Sequence, residues 1–356
     1  HNQSRRQRQM CIRDRYGTLY PTHYKFKYPK AGEDNSLISI RIFDTQYDRH
    51  FVFDVGNNPD IYIPRIMWSK RRDELIVFKM NRLQNKLELL SGTFSMDTPN
   101  NIGIKTKPIY TENSTTYIDI HDNTSFINEN EFIWTSEKDG YNHIYLINYA
   151  NGTEKQLTSG DWDVTEVYGY ASQSKKIFFQ AAKSHPTKRE IYALYTKNNK
   201  IELLTEKSGT NEANFSKTFN YFINTHSSAD TPFEITLHNQ KGKLVKTLEK
   251  NEVLKNKLLE FNLTNKEFFT IPNEEGILLN AWMIKPKLLD TLKEHPLLMF
   301  VYGGPGINTV NDAWSWNNYF WFQYLAQNGF IVVSVDARGT GSVSYTHLTL
   351  PTTLVV

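Results

Sequence analysis

The sequence predicts a mainly β protein whose last portion changes to alternating strand and helix. Three observations carry that expectation. Aromatic and β-branched residues are dense, with 20 Tyr, 21 Phe and 7 Trp among 356 residues, a composition suited to half-buried pleated surface rather than helix bundles. Short strands and polar turns recur at a fixed interval in the first two thirds. After Asn262 the texture shifts to continuous apolar runs, glycine turns and one helical period.

With 39% hydrophobic and 22% charged residues, the chain has the length and polarity of two ordinary domains. A net charge of +3, with Lys scattered among Glu and Asp, gives no field that would bind nucleic acid. No run approaches the roughly 18 apolar residues that cross a bilayer. Residues 1–15 hold an arginine cluster and Cys11, the single cysteine, without an apolar period. "RQRQMCIRDR" and, at the other end, "VSYTHLTLPTT" resemble translated adapter sequence, so residues 1–15 and 343–356 are expected to be tails outside the fold. The remainder, 16–342, contains no cysteine, which removes disulfides, thiol catalysis and Cys-based zinc sites together.

The repeat is clearest between Phe126 and Thr205. "EFIWTSEKDGYNHIYLINYANGTEKQLTSG" aligns with "KIFFQAAKSHPTKREIYALYTKNNKIELLTEKSG". Phe132 is matched to Phe179, Ile144 to Ile191, Tyr145 to Tyr192, Leu157 to Leu204 and Thr158 to Thr205, all at an offset of 47. Each unit reads strand, polar turn, Ile-Tyr strand, Asn turn, and a short strand ending Leu-Thr. Weaker copies occupy 74–92 and 219–251. Units of this size built from short strands predict β-propeller blades, four or five of them over 16–261. That is too few to close most propellers, so either the ring is small or its beginning is missing; a ring of eight is the expectation for the complete protein. Five matches at one offset favour this over a β-sandwich with an accidental repeat.

From 262 to 342 the expected elements are strands over 268–271 and 278–284, an apolar strand over 297–302 buried on both faces, a helix bearing Phe320, Tyr324 and Leu325 and stopped by Gly329, and a buried strand in "FIVVSVDARGTG". Strand, glycine loop, helix and strand make a βαβ unit, the opening of an α/β domain. In α/β-hydrolases the loop after the third strand supplies part of the oxyanion hole and needs glycine for close backbone approach. Gly303, Gly304, Pro305 and Gly306 occupy such a place, and their spacing is not that of a dinucleotide fingerprint.

The blades followed by "PLLMFVYGGPG" and "VVSVDARGTG" resemble the prolyl oligopeptidase family of serine peptidases, most closely its dipeptidyl peptidase IV branch as found in Bacteroidetes-like bacteria. "YGTLYPTHYKFKYPKAGEDN" and "WTSEKDGYNHIYL" followed by "QLTSGDWDV" carry the same resemblance. It implies a peptide substrate, acyl-enzyme chemistry with Xaa-Pro or Xaa-Ala dipeptides as products, no cofactor, no metal, a homodimer for the longer protein, and a periplasmic or cell-envelope location. Within it, Tyr302 matches the tyrosine that helps hold the oxyanion. The alternative for Tyr302 is packing under the loop. Asp336, Arg338, Gly339 and Gly341 match a D-x-R-G-[ST]-G turn, read as structural, with an ion pair fixing the sheet edge. Trp314 and Trp316 are expected in the core rather than at the mouth of a site.

The family's triad is Ser, Asp and His in that order, and no G-x-S-x-G occurs in the sequence. His121, His143, His185, His226 and His238 lie in the blades and are expected as satisfied imidazoles; His347 lies in the terminal tail. The family's nucleophile, acid and base are therefore expected beyond Ser342, and its amine-binding glutamate pair before Tyr16. Glu274 and Glu275 sit in a hairpin turn and are read as solvated. The chain is thus expected to be an inactive internal portion of such a peptidase.

Overall fold

The computed structural model describes residues 10–15, 17, 19–27, 32–45, 48–93, 103–104, 106–304, 306–315 and 317–342. It divides into two compact units between Tyr117 and Ile118.

In the first unit, β1 (Met10–Arg15) pairs antiparallel with β2 (Thr22–Lys27). Met10–Arg15, read from its adapter-like sequence as part of a tail, takes strand geometry here, since hairpin pairing draws on backbone groups that every residue carries. Strands β3 (Ile40–Asp44) and β4 (Arg49–Phe53) form a hairpin, and β5 (Ile61–Trp68), β6 (Glu74–Asn81) and β7 (Lys86–Thr93) follow. β8 (Gly103–Ile104) lies parallel to β4, and β9 (Thr106–Asn113) closes the four-stranded sheet β5-β6-β7-β9. Phe51, Phe53, Leu75, Val77, Leu90 and Ile104 form the core of this unit.

The second unit begins with three consecutive four-stranded antiparallel meanders. The first is β10 (Ser125–Phe126), β11 (Glu131–Ser136), β12 (His143–Asn148) and β13 (Glu154–Gln156). The second is β14 (Val164–Ala171), β15 (Lys176–Ala181), β16 (Glu190–Tyr195) and β17 (Lys200–Leu203). The third is β18 (Thr210–Phe215), β19 (Tyr221–Ser228), β20 (Thr231–Asn239) and β21 (Leu244–Glu249). Strand β15 explains why they stack. Its Ile177, Phe179 and Ala181 enter one cluster with Ile133, Ile144 and Leu157 of the first sheet, and its Phe178 enters another with Ile191, Leu204 and Phe222. Alternation along a strand thus fills two cores, which is how propeller blades bury both faces. Each fully buried Phe or Ile here contributes about 1.5–3 kcal/mol.

The 47-residue offset holds on the third strand of each blade and at the end of the fourth. Leu157 N–H donates to Ile144 O at 2.8 Å, and Leu204 N–H to Ile191 O at 2.8 Å. Thr158 Oγ1 accepts the Ile144 N–H at 2.9 Å, as Thr205 Oγ1 accepts that of Ile191 at 3.2 Å. The match of Phe132 to Phe179 does not hold. Tyr145 faces Trp134 while Tyr192 faces Phe179, so Trp134 is the counterpart of Phe179. The turn between the two strands is six residues in one blade (137–142) and eight in the next (182–189), which shifts the alignment by two.

After α1 (Glu252–Leu258), the chain forms β22 (Glu267–Pro272), β23 (Leu278–Ile284), β24 (Leu297–Met299), α2 (Asn317–Gln327) and β25 (Ile331–Val335). The sheet order is β22-β23-β25-β24, with β24 parallel to β25. Trp282, Ile284, Phe322, Leu325, Ala326 and Val332 form the core between sheet and helix. Two expectations are corrected here. The apolar run 297–302 is a short edge strand buried on one face only: Leu298 packs on that core and Phe300 on Phe322, while Leu297, Met299 and Val301 are exposed. The buried face of α2 carries Tyr319, Phe322, Gln323 and Ala326 with Leu325, and Phe320 and Tyr324 look outward. Gly329, at φ 88°, ends the helix as expected.

Candidate active site

The two glycine turns of the second unit come together at the ends of β24 and β25. Phe300 N–H donates to Val333 O at 2.8 Å, which carries the ladder past β24 and delivers Tyr302 to the mouth of the first turn. Gly303 and Gly306 take φ 75° and 78°, a region where a Cβ would strain the backbone. Tyr302 folds back over Gly304, so that a Cβ there would stand 2.8 Å from its ring. Tyr302 is 56% exposed. Pro305 lies outside the described residues.

The second turn runs from Asp336 to Ser342. Thr340 Oγ1 donates to Ala337 O at 2.6 Å, and Gly339 takes φ 80°. The turns bond to each other: Gly306 N–H donates to Gly339 O at 2.9 Å, and a Cβ on Gly341 would stand 2.8 Å from Gly306 O.

Asp336 is buried and fixes the strand end to the loop that follows the first turn. Its carboxylate accepts the Thr309 N–H and hydroxyl, both at 2.8 Å, the Val310 N–H at 3.2 Å and the Asn308 amide at 3.4 Å. Arg338, expected to take part in an ion pair at this turn, pairs with Glu275 at 2.6 Å. Glu275 is therefore not merely solvated; it ties the turn to the β22–β23 hairpin.

Blade residues reach the same loops. Asp312 N–H donates to Thr187 O at 2.8 Å, its carboxylate accepts the Ala229 N–H at 2.9 Å, and its carbonyl accepts the Thr210 hydroxyl at 3.0 Å. Trp314 is buried against Tyr319, with centroids 4.0 Å apart, in the core as expected. Trp316 lies outside the described residues. Beneath them Lys266 is buried, its ammonium 4.8 Å from the Trp282 ring centroid, while its backbone N–H is shared between the Asp230 carboxylate oxygens at 3.2 and 3.3 Å. Burial pulls its ammonium down to about 8, opposed by Asp230 and Asp312.

The blade histidines are mostly satisfied. His143 is fully buried, with Nε2 on Gly160 O at 2.8 Å and Nδ1 on Thr158 Oγ1 at 3.1 Å. His121, His185 and His238 likewise bond to local groups. His226 departs from the expectation: Nε2 meets Ser208 O at 2.8 Å, while Nδ1 is buried without a partner among the described residues, and burial lowers its pKa. His347 lies outside the described residues.

Sequence reasoning missed Asp163, Arg189 and Asn308. Arg189 stands 47 after Asn142, and Thr210 stands 47 after Asp163, so these are matched corners of consecutive blades. A charge replacing a neutral residue at one repeat position was the signal available.

This arrangement offers a tyrosine hydroxyl and glycine backbone at one sheet end, walled by blade corners. The sequence model described as Dipeptidyl peptidase IV (DPP IV) N-terminal region matches residues 4–233, well over half the chain. The chain belongs to the dipeptidyl peptidase IV family. It is 27% identical over 335 residues to dipeptidyl peptidase 4 of Trichophyton equinum, across 90% of this chain and 42% of that protein. It is 26% identical over 337 residues to dipeptidyl peptidase 4 of Arthroderma otae, again across 90% of this chain and 42% of the relative. The crystal structure of Porphyromonas gingivalis dipeptidyl peptidase 4 superposes with a TM-score of 0.85 and 35% identity, covering 94% of this chain and 46% of that one. The chain thus spans less than half the length of each of these relatives.

Proposed function

We propose that this chain forms the blades and the first part of the catalytic domain of a serine dipeptidyl peptidase, one that releases Xaa-Pro and Xaa-Ala dipeptides from peptide N-termini through an acyl-enzyme. In this reading residues 262–342 open an α/β-hydrolase domain, and the blades cap it and position the peptide. The observation that carries it is the joining of the two glycine turns through Gly306 N–H and Gly339 O, with Tyr302 at the end of β24 and its hydroxyl unbonded among the described residues. A phenol held at a strand end and free to donate is suited to a carbonyl oxygen that turns negative as a tetrahedral intermediate forms. The longer protein would be exported to the periplasm or cell envelope and would pair as a homodimer, as the resemblance implies.

No G-x-S-x-G serine is present in this sequence, so the chain by itself should not turn over a fluorogenic Xaa-Pro substrate. Joined ahead of the remaining part of the Porphyromonas gingivalis enzyme, it should supply a working oxyanion site. There Tyr302→Phe should lower kcat roughly 100-fold or more while leaving KM nearly unchanged, the signature of a donor used only in the transition state. An active fusion in which Tyr302→Phe keeps its kcat would overturn the assignment.

A further inference from the structure

The glycine turns are held from two sides. Asp336 holds them from within their own sheet; the other support comes from the corners of consecutive blades. Asp163, just before β14, accepts the Ser342 N–H at 2.9 Å and the Asn142 N–H at 2.6 Å. Arg189, just before β16, donates through Nη1 to Pro186 O and Lys188 O at 2.8 and 2.7 Å and through Nη2 to Asn308 Oδ1 at 3.2 Å. Asn308 turns its amide toward Asp336 at 3.4 Å, so its carboxamide links the arginine to the buried carboxylate. Nearby, Asn308 Oδ1 stands 3.4 Å from where a Gly341 Cβ would be. A half-buried guanidinium with its fork filled by three oxygens has few geometries available to it.

We propose that Asp163 and Arg189 are positioning residues that set the two glycine turns from the blade side, Asp163 through Ser342 and Arg189 through Asn308. The repeat makes the pair selective. At the matched corner positions of these blades stand Asn142, which bonds Val164 O within its own blade pair, and Thr210, which bonds Asp312 O. The charged members, Asp163 and Arg189, are the ones that reach the turns. The importance of this clamp for catalysis rests on the peptidase reading; the clamp itself does not.

The test is hydrogen exchange on the intact chain, read by mass spectrometry over peptides covering 300–311 and 336–342. Arg189→Met and Asp163→Ala should each speed exchange in those peptides about tenfold, while peptides from β15, β16, β23 and β25 keep their protection, since local openings are graded across a fold. Arg189→Lys, which keeps the charge and loses the fork, should give a smaller acceleration confined to 300–311. Thr205→Val weakens the same blade at the start of β16 without touching a group bonded to Asn308 or Ser342, and should leave the turns unmoved. Equal acceleration throughout the second unit, or turns as mobile with Thr205→Val as with Arg189→Met, would overturn the proposal. If Arg189→Met fails to fold, Asp163→Ala and Arg189→Lys decide it by the same peptides. No substrate enters the measurement, so its failure leaves the peptidase reading standing, and a failed Tyr302 test leaves the clamp standing.

Discussion

Raising the pH from 7.5 to 9.5 should stabilise the second unit, and Lys266→Met should remove that gain. Burial lowers the Lys266 ammonium from 10.5 to about 8, even with Asp230 and Asp312 nearby. Below about pH 8 both folded and unfolded chains carry the proton. Between about 8 and 10.5 the unfolded chain holds a proton that the folded chain has released, so stability climbs with pH, by at most about 1.4 kcal/mol per pH unit. From pH 8 to 9.5 that amounts to about 2 kcal/mol, out of roughly 3 kcal/mol for the whole window. The window avoids competing groups. His185 and His226 are lowered from 6.5 and titrate below it. Arg189, brought down to about 10, and Tyr319, pushed up to about 12, act above it. Urea unfolding followed by tryptophan fluorescence at pH 7.5, 8.5 and 9.5 measures the slope. A flat or falling wild-type profile, or the same slope in Lys266→Met, would refute a buried ammonium as its source.

Other perturbations separate the contacts by burial. Thr158→Val and Thr205→Val each leave a buried strand N–H, of Ile144 or Ile191, without its hydroxyl acceptor and should each lower stability by about 1–3 kcal/mol in urea titrations. Asp336→Ala strands four donors at once and should lower stability by about 3 kcal/mol or more. Arg338→Gln breaks an exposed pair with Glu275 and should change it by less than about 1 kcal/mol. Gly341→Ala drives a methyl against Gly306 O; a midpoint loss equivalent to about 1–3 kcal/mol is expected, with faster exchange in both glycine turns.

Much of the fold was legible because it repeats. Ile144 and Ile191, Leu157 and Leu204, and Thr158 and Thr205 sit at one offset because they share one set of backbone bonds. The match of Phe132 to Phe179 failed because aromatic residues crowd the strand, and only the paired register shows that Trp134 stands opposite Tyr145. The glycine turns could be read from residue type, since positive φ at Gly303, Gly306 and Gly339 leaves little choice of side chain. Burial of 297–302 could not, because an apolar run reads the same at an edge as at a centre. Arg338 was assigned to a turn without its partner, since Glu275 lies 63 residues away. Arg189 and Asp163 were missed for the same cause: the groups they meet lie 119 and 179 residues further on, and single charges in turns carry no period.

The unequal turns at 137–142 and 182–189 have a practical use. Two neighbouring sheets keep the same rear pairing although one connection is two residues longer, so this rim of the molecule absorbs changes in length that its interior does not register. The shorter of the two, which carries exposed Lys138 and Asp139, is the natural address for a fluorophore or an affinity epitope: its last residue, Asn142, bonds the Asp163 that holds Ser342, so it reports from close to the glycine turns while the strands beneath it keep their alignment.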